Sequence, residues 1–298
     1  MIIIRVVGGI GNQMFQYALG CALSVKLTVP FKLDISCFDS HKIHNGFELD
    51  KVFNCEVDIA TKKDINKILE WQSSSFIMKF TSIPFFSKLR KSSFVIEPHY
   101  HFWNGIENIT DNSYLVGYWQ SEKYFQDIKK IIIKDFTFKS SLKGKNIFYA
   151  DLIQKQNSVS IHVRRGDYIK SAKAYKTHGV CDIEYYDKAL DIILKRVNSP
   201  HFFVFSDEVE KAKYIIKSII KKAEYPFFFI DNNNGIDSYN DMRLMSMCKH
   251  NIIANSSFSW WAGWLNSNQD KIVIAPQRYI NDNVYSTKDL LPLTWVKI

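Results

Sequence analysis

Paired cysteines, long apolar runs and blocks of like charge are all missing from this sequence, and each absence removes a class of function. The five cysteines (Cys21, Cys37, Cys55, Cys181, Cys248) are odd in number and include no C-x-x-C. That speaks against a disulfide framework and a thiolate zinc site, and predicts reduced, buried thiols. No run approaches eighteen apolar residues, so no segment is expected to span a membrane. Met1 leads straight into Ile-Ile-Ile-Arg without a charged leader or cleavage site, which predicts no secretory signal and a cytoplasmic setting. The 39 Lys and Arg outnumber the 30 Asp and Glu, but they are dispersed, so a basic tail for nucleic acid is absent. The surplus favours a smaller anionic partner, such as a nucleotide, or an acidic membrane surface.

What is present is an ordinary globular composition, 46% hydrophobic and 23% charged in 298 residues, enough for one large core or two smaller ones. Met1–Val7 is a β-branched run that reads as a buried strand. A glycine-rich turn, a helix from Met14 to about Lys26 and a strand at Phe31–Asp34 follow, making one βαβ unit. Residues 61–91 read as helical and basic, Tyr114–Gly117 as strand and Glu122–Lys134 as helix. Beyond a polar stretch at 139–157, strands are predicted at Ser158–Val163, Phe202–Ser206, Phe227–Ile230, Asn251–Ala254 and Ile272–Ala275. Helices at Glu184–Asn198, Glu208–Lys222, Ser238–Cys248 and Phe258–Asn266 lie between them. Such alternation implies parallel sheets covered on both faces. The fold class is therefore α/β, in two domains, 1–150 and 151–298.

Three clusters place polar groups at predicted strand ends. Gly9 and Gly11 would let a ligand approach backbone N–H groups, and Asn12 and Gln13 stand where amides position a hydroxyl or phosphate. The alternative is a tight turn. The dinucleotide fingerprint G-x-G-x-x-G fails at Met14, which argues against a nucleotide-sugar dehydrogenase or epimerase. In His162-Val163-Arg164-Arg165-Gly166-Asp167-Tyr168, two guanidinium forks suit phosphate oxygens at the carboxyl end of a strand. The alternative is an ion pair with Asp167. His162 is either a base, with an ordinary pKa near about 6.5, or a core histidine. Asn255, Ser256 and Ser257 form an anion cradle at a helix start or simply cap that helix. Asp207 follows a strand, where a carboxylate can hold ribose or a base.

These motifs resemble glycosyltransferase family 11, the α-1,2-fucosyltransferases. GGIGNQMFQYA at 8–18, GYWQSEKYF at 117–125, HVRRGDY at 162–168 and NSSFSWWAGW at 255–264 occur in that family's order. HGVCDIEYY at 178–186 and FSDE at 205–208 are similar as well. The resemblance implies a GT-B-like pair of facing Rossmann-like domains, the N-terminal one on the acceptor side and the C-terminal one binding GDP-fucose. It implies inverting transfer of L-fucose from GDP-β-L-fucose to the 2-hydroxyl of a terminal β-galactose, without metal or other cofactor. The lack of any Asp-x-Asp agrees, since metal-dependent sugar transferases commonly hold the diphosphate through that pair and a divalent cation.

By the same resemblance Arg164 stabilises the leaving diphosphate with help from Arg165, while Ser256 and Ser257 contact it beside Asn255. Asp207 holds ribose or guanine, and Asn12 orients the reacting centre with Gly9, Gly11 and Gln13 around it. Asp167 and His162 are the candidate bases. The acceptor is a galactoside, including a lipid-linked glycan at the inner face of the membrane in surface polysaccharide or O-antigen synthesis. The basic segment Lys62–Lys91 adds an expectation of peripheral contact with anionic membrane, because Ile65, Ile68, Leu69 and Phe76 recur at roughly helical spacing. The alternative there is a helix packed on the N-terminal core.

Overall fold

The computed structural model describes residues 1–40, 45–166, 179–220, 225–280 and 287–298. Its contacts divide the chain into two units, Met1–Lys139 with Lys288–Leu290, and Ser140–Thr287 with Leu291–Ile298. The division precedes residue 150 because the helix Lys145–Lys155 packs on the helix Tyr239–Met247. Its Asn146 also donates to the Asn233 side chain at 2.8 Å.

In the first unit, Ile2, Ile3 and Ile4 are wholly buried, and a strand apolar on both faces needs a layer over each. The strands are β1 (Ile2–Arg5), β2 (Phe31–Asp34), β3 (Phe94–Ile96) and β4 (Ser113–Val116). All pair in parallel, in the order β2-β1-β4-β3. The crossover from β1 to β2 is the helix Ile10–Leu27. It starts ahead of Met14 because Gly9 supplies an extended N-cap, and it buries Met14, Phe15, Ala18 and Leu19.

The basic segment is not one helix. Thr61 and Asp64 close a reciprocal capping box on the helix Lys62–Leu69, but Glu70, with φ 51, ends it. Single turns and a short helix, Ser75–Ser82, follow, with Pro84 opening the last turn. Ile65, Ile68 and Leu69 pack against Ile3, Phe94 and Tyr114, so these three face the core and offer nothing to a membrane. Glu122–Lys134 likewise resolves into two 3-10 turns and the helix Lys129–Asp135.

The second unit holds β5 (Asn157–Val163), β6 (Pro200–Ser206), β7 (Phe227–Ile230), β8 (His250–Ile252), β9 (Val273–Ala275) and β10 (Val296–Lys297). They form one parallel sheet in the order β10-β9-β8-β5-β6-β7. Val159, Ile161, Phe202 and Val204 on the inner strands pack against Ala189, Ile193, Ala212 and Ile216 from two helices. Trp260 and Trp261 are fully buried, with Trp264 and Trp295 nearly so, and they pack edge-on and stacked on one another. These tryptophans are core.

The strand order fixes where a ligand can sit. In each sheet the chain runs to one edge from a central strand and then continues on its other side. Such a reversal opens a crevice beyond the carboxyl ends of the two central strands. That crevice lies between β1 and β4 in the first unit and between β5 and β8 in the second.

Candidate active site

Arg164, Arg165 and Gly166 leave the carboxyl end of β5, and Asp207 leaves the end of β6 beside it, because Val163 is paired with Ser206. Asp207 closes the loop. Its Oδ1 accepts from the Arg165 backbone N–H at 3.1 Å, and its Oδ2 accepts from that of Gly166 at 3.0 Å. An Arg164 nitrogen, Nη1, lies 3.2 Å from the same Oδ2. A Cβ on Gly166 would stand 2.7 Å from that oxygen, so only glycine lets the loop close. Asp207 is thus brought to the site, but with its oxygens turned to the loop. Asp167, which the sequence offered as the arginine partner or base, lies outside the described residues.

Across the crevice, β8 ends at Ile252 and the helix Ser257–Leu265 begins after Ser256. The Ser256 hydroxyl caps that helix by accepting from the Phe258 N–H at 3.3 Å. Asn255 is buried, and its amide reaches the Gly179 carbonyl at 3.4 Å. Both act on the chain itself, whereas Ser257 is half-exposed at the first helical position. Two tyrosines in the HGVCDIEYY motif hold the strand ends. Tyr185 donates to the Ile253 carbonyl at 2.6 Å, and Tyr186 to that of His162 at 2.9 Å. Sequence reading noticed the motif but not this role, which two adjacent tyrosines just inside a helix start would have suggested.

His162 is 4% exposed and its ring lies against Phe258. Burial, and secondarily the Arg164 charge, push its imidazole down to about 3. It is therefore a neutral core histidine and too weak a base for a hydroxyl at neutral pH, which corrects the expectation of a catalytic role and leaves the core alternative.

In the first unit, Gly8 (φ 82) turns the chain out of β1, and a Cβ there would strike the Asn12 amide at 2.5 Å. Gly9 and Gly11 follow at the helix start. Asn12 is half-buried, and its Oδ1 accepts from Gln120 Nε2 at 2.7 Å, joining the loops after β1 and β4. Gln13 does not face a ligand. It is wholly buried, donates to the Gly8 and Gly46 carbonyls at 3.0 and 2.8 Å, and accepts from the Glu48 N–H at 2.9 Å. One helical step of about 100° separates it from Asn12, and that step turns it inward. Gln16, unremarked in the sequence, ties the Val7 N–H to the Gly117 carbonyl at 3.0 and 2.9 Å. Among the described residues, no group of three His, Cys, Asp or Glu is placed to hold a metal ion.

Residues 59–298 match the model of glycosyl transferase family 11. The chain belongs to that family. The relationship extends through the glycine cluster. An alpha-1,2-colitosyltransferase of Escherichia coli is 36% identical over 100% of this chain and 99% of its own. The O-antigen biosynthesis glycosyltransferase WbnK, also of Escherichia coli, is 33% identical over 93% and 94%. The galactoside 2-alpha-L-fucosyltransferase Sec1 of Mus musculus is 26% identical over 89% of this chain and 64% of its own. The fold matches that of the Bradyrhizobium NodZ alpha-1,6-fucosyltransferase, in a crystal soaked with GDP-fucose, with a TM-score of 0.50 at 14% identity over 89% and 91%. That likeness bears out the α/β, GT-B-like expectation. This family 11 chain is a glycosyltransferase.

The His162 assignment can be checked directly. The unfolded chain takes up this proton near 6.5, and the folded imidazole only at about 3. Its contribution to stability is therefore complete above the ordinary histidine range and is lost as pH falls through that interval. NMR of ring-labelled histidines is expected to show one imidazole that does not titrate between about pH 5 and 8 and that disappears in His162→Phe. Titration of that resonance near its ordinary value would contradict the placement.

Proposed function

We propose that this chain is an inverting transferase that moves L-fucose from GDP-β-L-fucose to the 2-hydroxyl of a terminal β-galactose during O-antigen or other surface polysaccharide assembly. One observation carries the proposal: Arg164, Arg165 and a capped helix start lie on either side of the β5/β8 crevice. As the bond from the anomeric carbon to the β-phosphate oxygen breaks, negative charge grows on the diphosphate. Guanidinium forks and helix-start N–H groups are suited to stabilise it. Arg164 takes the leaving charge, Arg165 the remaining phosphate oxygens, and Ser257 adds a hydroxyl. Asp207 works through the loop by orienting Arg164, while Asn255 and Ser256 brace and cap. On the acceptor side, Gln120 engages Asn12 Oδ1 and leaves the Asn12 amide N–H₂ to donate to a sugar hydroxyl. The names of the mouse relative and of the GDP-fucose-soaked NodZ crystal support this donor.

The colitosyltransferase relative, at 36% identity over the whole chain, favours GDP-colitose as a second donor. Colitose is L-fucose without its 3-hydroxyl. A site that hydrogen-bonds that hydroxyl rejects the deoxy sugar by about 10⁴-fold, whereas an apolar one discriminates only about 10–200-fold. The ratio of kcat/KM for the two donors separates the readings.

Arg164→Ala is expected to weaken GDP binding about tenfold or more and to slow transfer about 10²-fold or more. Lys restores it only partly, because an ammonium has no fork. Asn12→Ala is expected to keep GDP affinity within about twofold while transfer falls, the signature of an interaction made in the transition state. Calorimetry and initial rates check both. Parent-like binding and transfer by Arg164→Ala would remove the donor site from β5.

We also propose peripheral contact with anionic membrane through residues 70–90. Trp71, Phe76 and Phe85 are 56%, 77% and 85% exposed, and Phe80, Ile83 and Leu89 are exposed beside them. Exposed Lys79 and Lys88 interleave with these apolar groups, which suits acyl chains beneath acidic headgroups. Among the described residues no helix is long and apolar enough to cross a membrane. Flotation is expected to recover the protein with phosphatidylglycerol vesicles and not with phosphatidylcholine, and Phe76→Ser/Phe85→Ser to abolish recovery. Equal recovery with both vesicles would end the idea.

A further inference from the structure

His162 is too weak a base to receive the acceptor proton, and a carboxylate is the next group able to do so. Two carboxylates stand at the carboxyl end of the first unit's sheet: Asp34, which ends β2 and accepts from the Tyr114 hydroxyl and the Ser36 N–H, and Glu97. Glu97 follows β3, next to the turn that leaves β4. Its Oε2 accepts from the Tyr118 N–H at 2.6 Å and its Oε1 from the Trp119 N–H at 3.0 Å. A Cβ on Gly117 would lie 2.6 Å from Oε2, so the turn is built to close on this side chain. Trp119 holds φ 56 there, a conformation that costs a bulky residue energy and that persists at sites where geometry is enforced.

The surroundings offer the carboxylate little else. Tyr118 and Tyr124 face it, both with hydroxyls pushed above their ordinary value by burial first and by Glu97 among the further causes, so both are neutral at working pH. Cys37 adjoins Tyr118. At the neighbouring strand ends stand Arg5 and Asp34, and Asp34 accepts the Tyr114 hydroxyl. Among the described residues no cation pairs with Glu97. Burial pushes its carboxyl up to about 7, against the pull of the two N–H groups.

Two further features lie close to this carboxylate along the chain. Gln120, directly after Trp119, holds Asn12. His99 and the stretch His101–Gly105 beyond Glu97, together with Lys123, Lys288 and Asp289, line a cavity of about 510 Å³, within the range of small-molecule sites. Phe102 and Trp103 give that cavity an aromatic wall, and Tyr124 fixes it through the Trp103 N–H at 2.9 Å. Aromatic faces beside polar groups suit a sugar ring.

We propose that Glu97 is the general base of the transfer, a catalytic residue that touches the acceptor hydroxyl. The acceptor oxygen forms its bond to the anomeric carbon, and the bond from that carbon to the β-phosphate oxygen breaks. The electron pair leaves with GDP, and the hydroxyl proton passes to the Glu97 carboxylate. The base works ionised, so the rate rises with pH through the carboxyl's titration. Asn12 and Gln120 position the hydroxyl. This inference rests on the transferase reading above.

The test is the pH dependence of kcat/KM for the acceptor, in the parent and in Glu97→Gln. The parent is expected to lose activity about tenfold per pH unit below about 7, as expected of an essential base. Glu97→Gln is expected to fall about 10²- to 10⁴-fold, to lose that acid limb, and to keep parental GDP affinity. Formate is expected to restore part of the rate to Glu97→Ala. A merely structural role would lower the rate without removing the limb, and a slow Glu97→Gln that keeps it overturns the proposal. So does a Glu97→Gln within threefold of the parent. Should the variants not fold, a parent profile flat from about pH 5.5 to 8 overturns it without them. A parent that transfers no sugar from either GDP donor overturns the transferase reading and this proposal with it. A parent that transfers while the limb is absent overturns this proposal alone.

Discussion

The carboxylate of Asp207 is the contact on which the second unit's chemistry turns. An arginine at a strand end is by itself a mobile cation whose direction is not fixed. Here the parallel register of β5 and β6 sets Asp207 alongside the loop, and two backbone N–H groups with one guanidinium converge on its two oxygens. Arg164 and Asp207 are each less than a quarter exposed, so this pair is screened less than a surface salt bridge. The cost of ordering the arginine is met in the folded protein, before any ligand arrives, and that is the condition for electrostatic stabilisation to act on a transition state.

The first unit solves a different problem, that of keeping polar side chains inside an apolar sheet layer. Gln13 and Gln16 are entirely buried, yet both ends of each amide find backbone partners. Burying an amide without such bonds costs a few kcal/mol; Gln16 ties the loop after β1 to the loop after β4, and Gln13 ties Gly8 to Gly46 and Glu48. Glu97 differs. Among the described residues it receives two N–H groups and no cation, which leaves the desolvation of its charge largely uncompensated. The same turn that holds the carboxylate also carries Gln120, and through it Asn12.

How far all this could be read in the sequence depends on the kind of signal. Buried parallel strands announce themselves as apolar runs, and Phe31–Asp34 and Phe227–Ile230 fall where periodicity puts them. Arg164, Arg165 and the Ser256–Ser257 helix start were legible because charged or hydroxyl residues directly follow such runs. Helical periodicity over 61–91 could not register a positive φ at Glu70, so one expected helix became several short pieces. Asn12 and Gln13 are chemically alike and adjacent, and only the helix phase tells the outward amide from the inward one. His162 reads equally as a base or a core histidine in sequence, because burial is not a property of a single residue. Glu97 was invisible for a simpler reason: β3 is only three residues long and leaves no periodicity to mark its end.

The central claim is the linkage that the enzyme makes, and product analysis tests it most directly. The purified chain would be incubated with GDP-fucose and a β-galactoside, and the product methylated and examined by NMR. The account predicts galactose substituted at its 2-hydroxyl and an α-configured fucose, inverted from the β-linked donor. Fucose on any other hydroxyl, or a β-linked product, would contradict it.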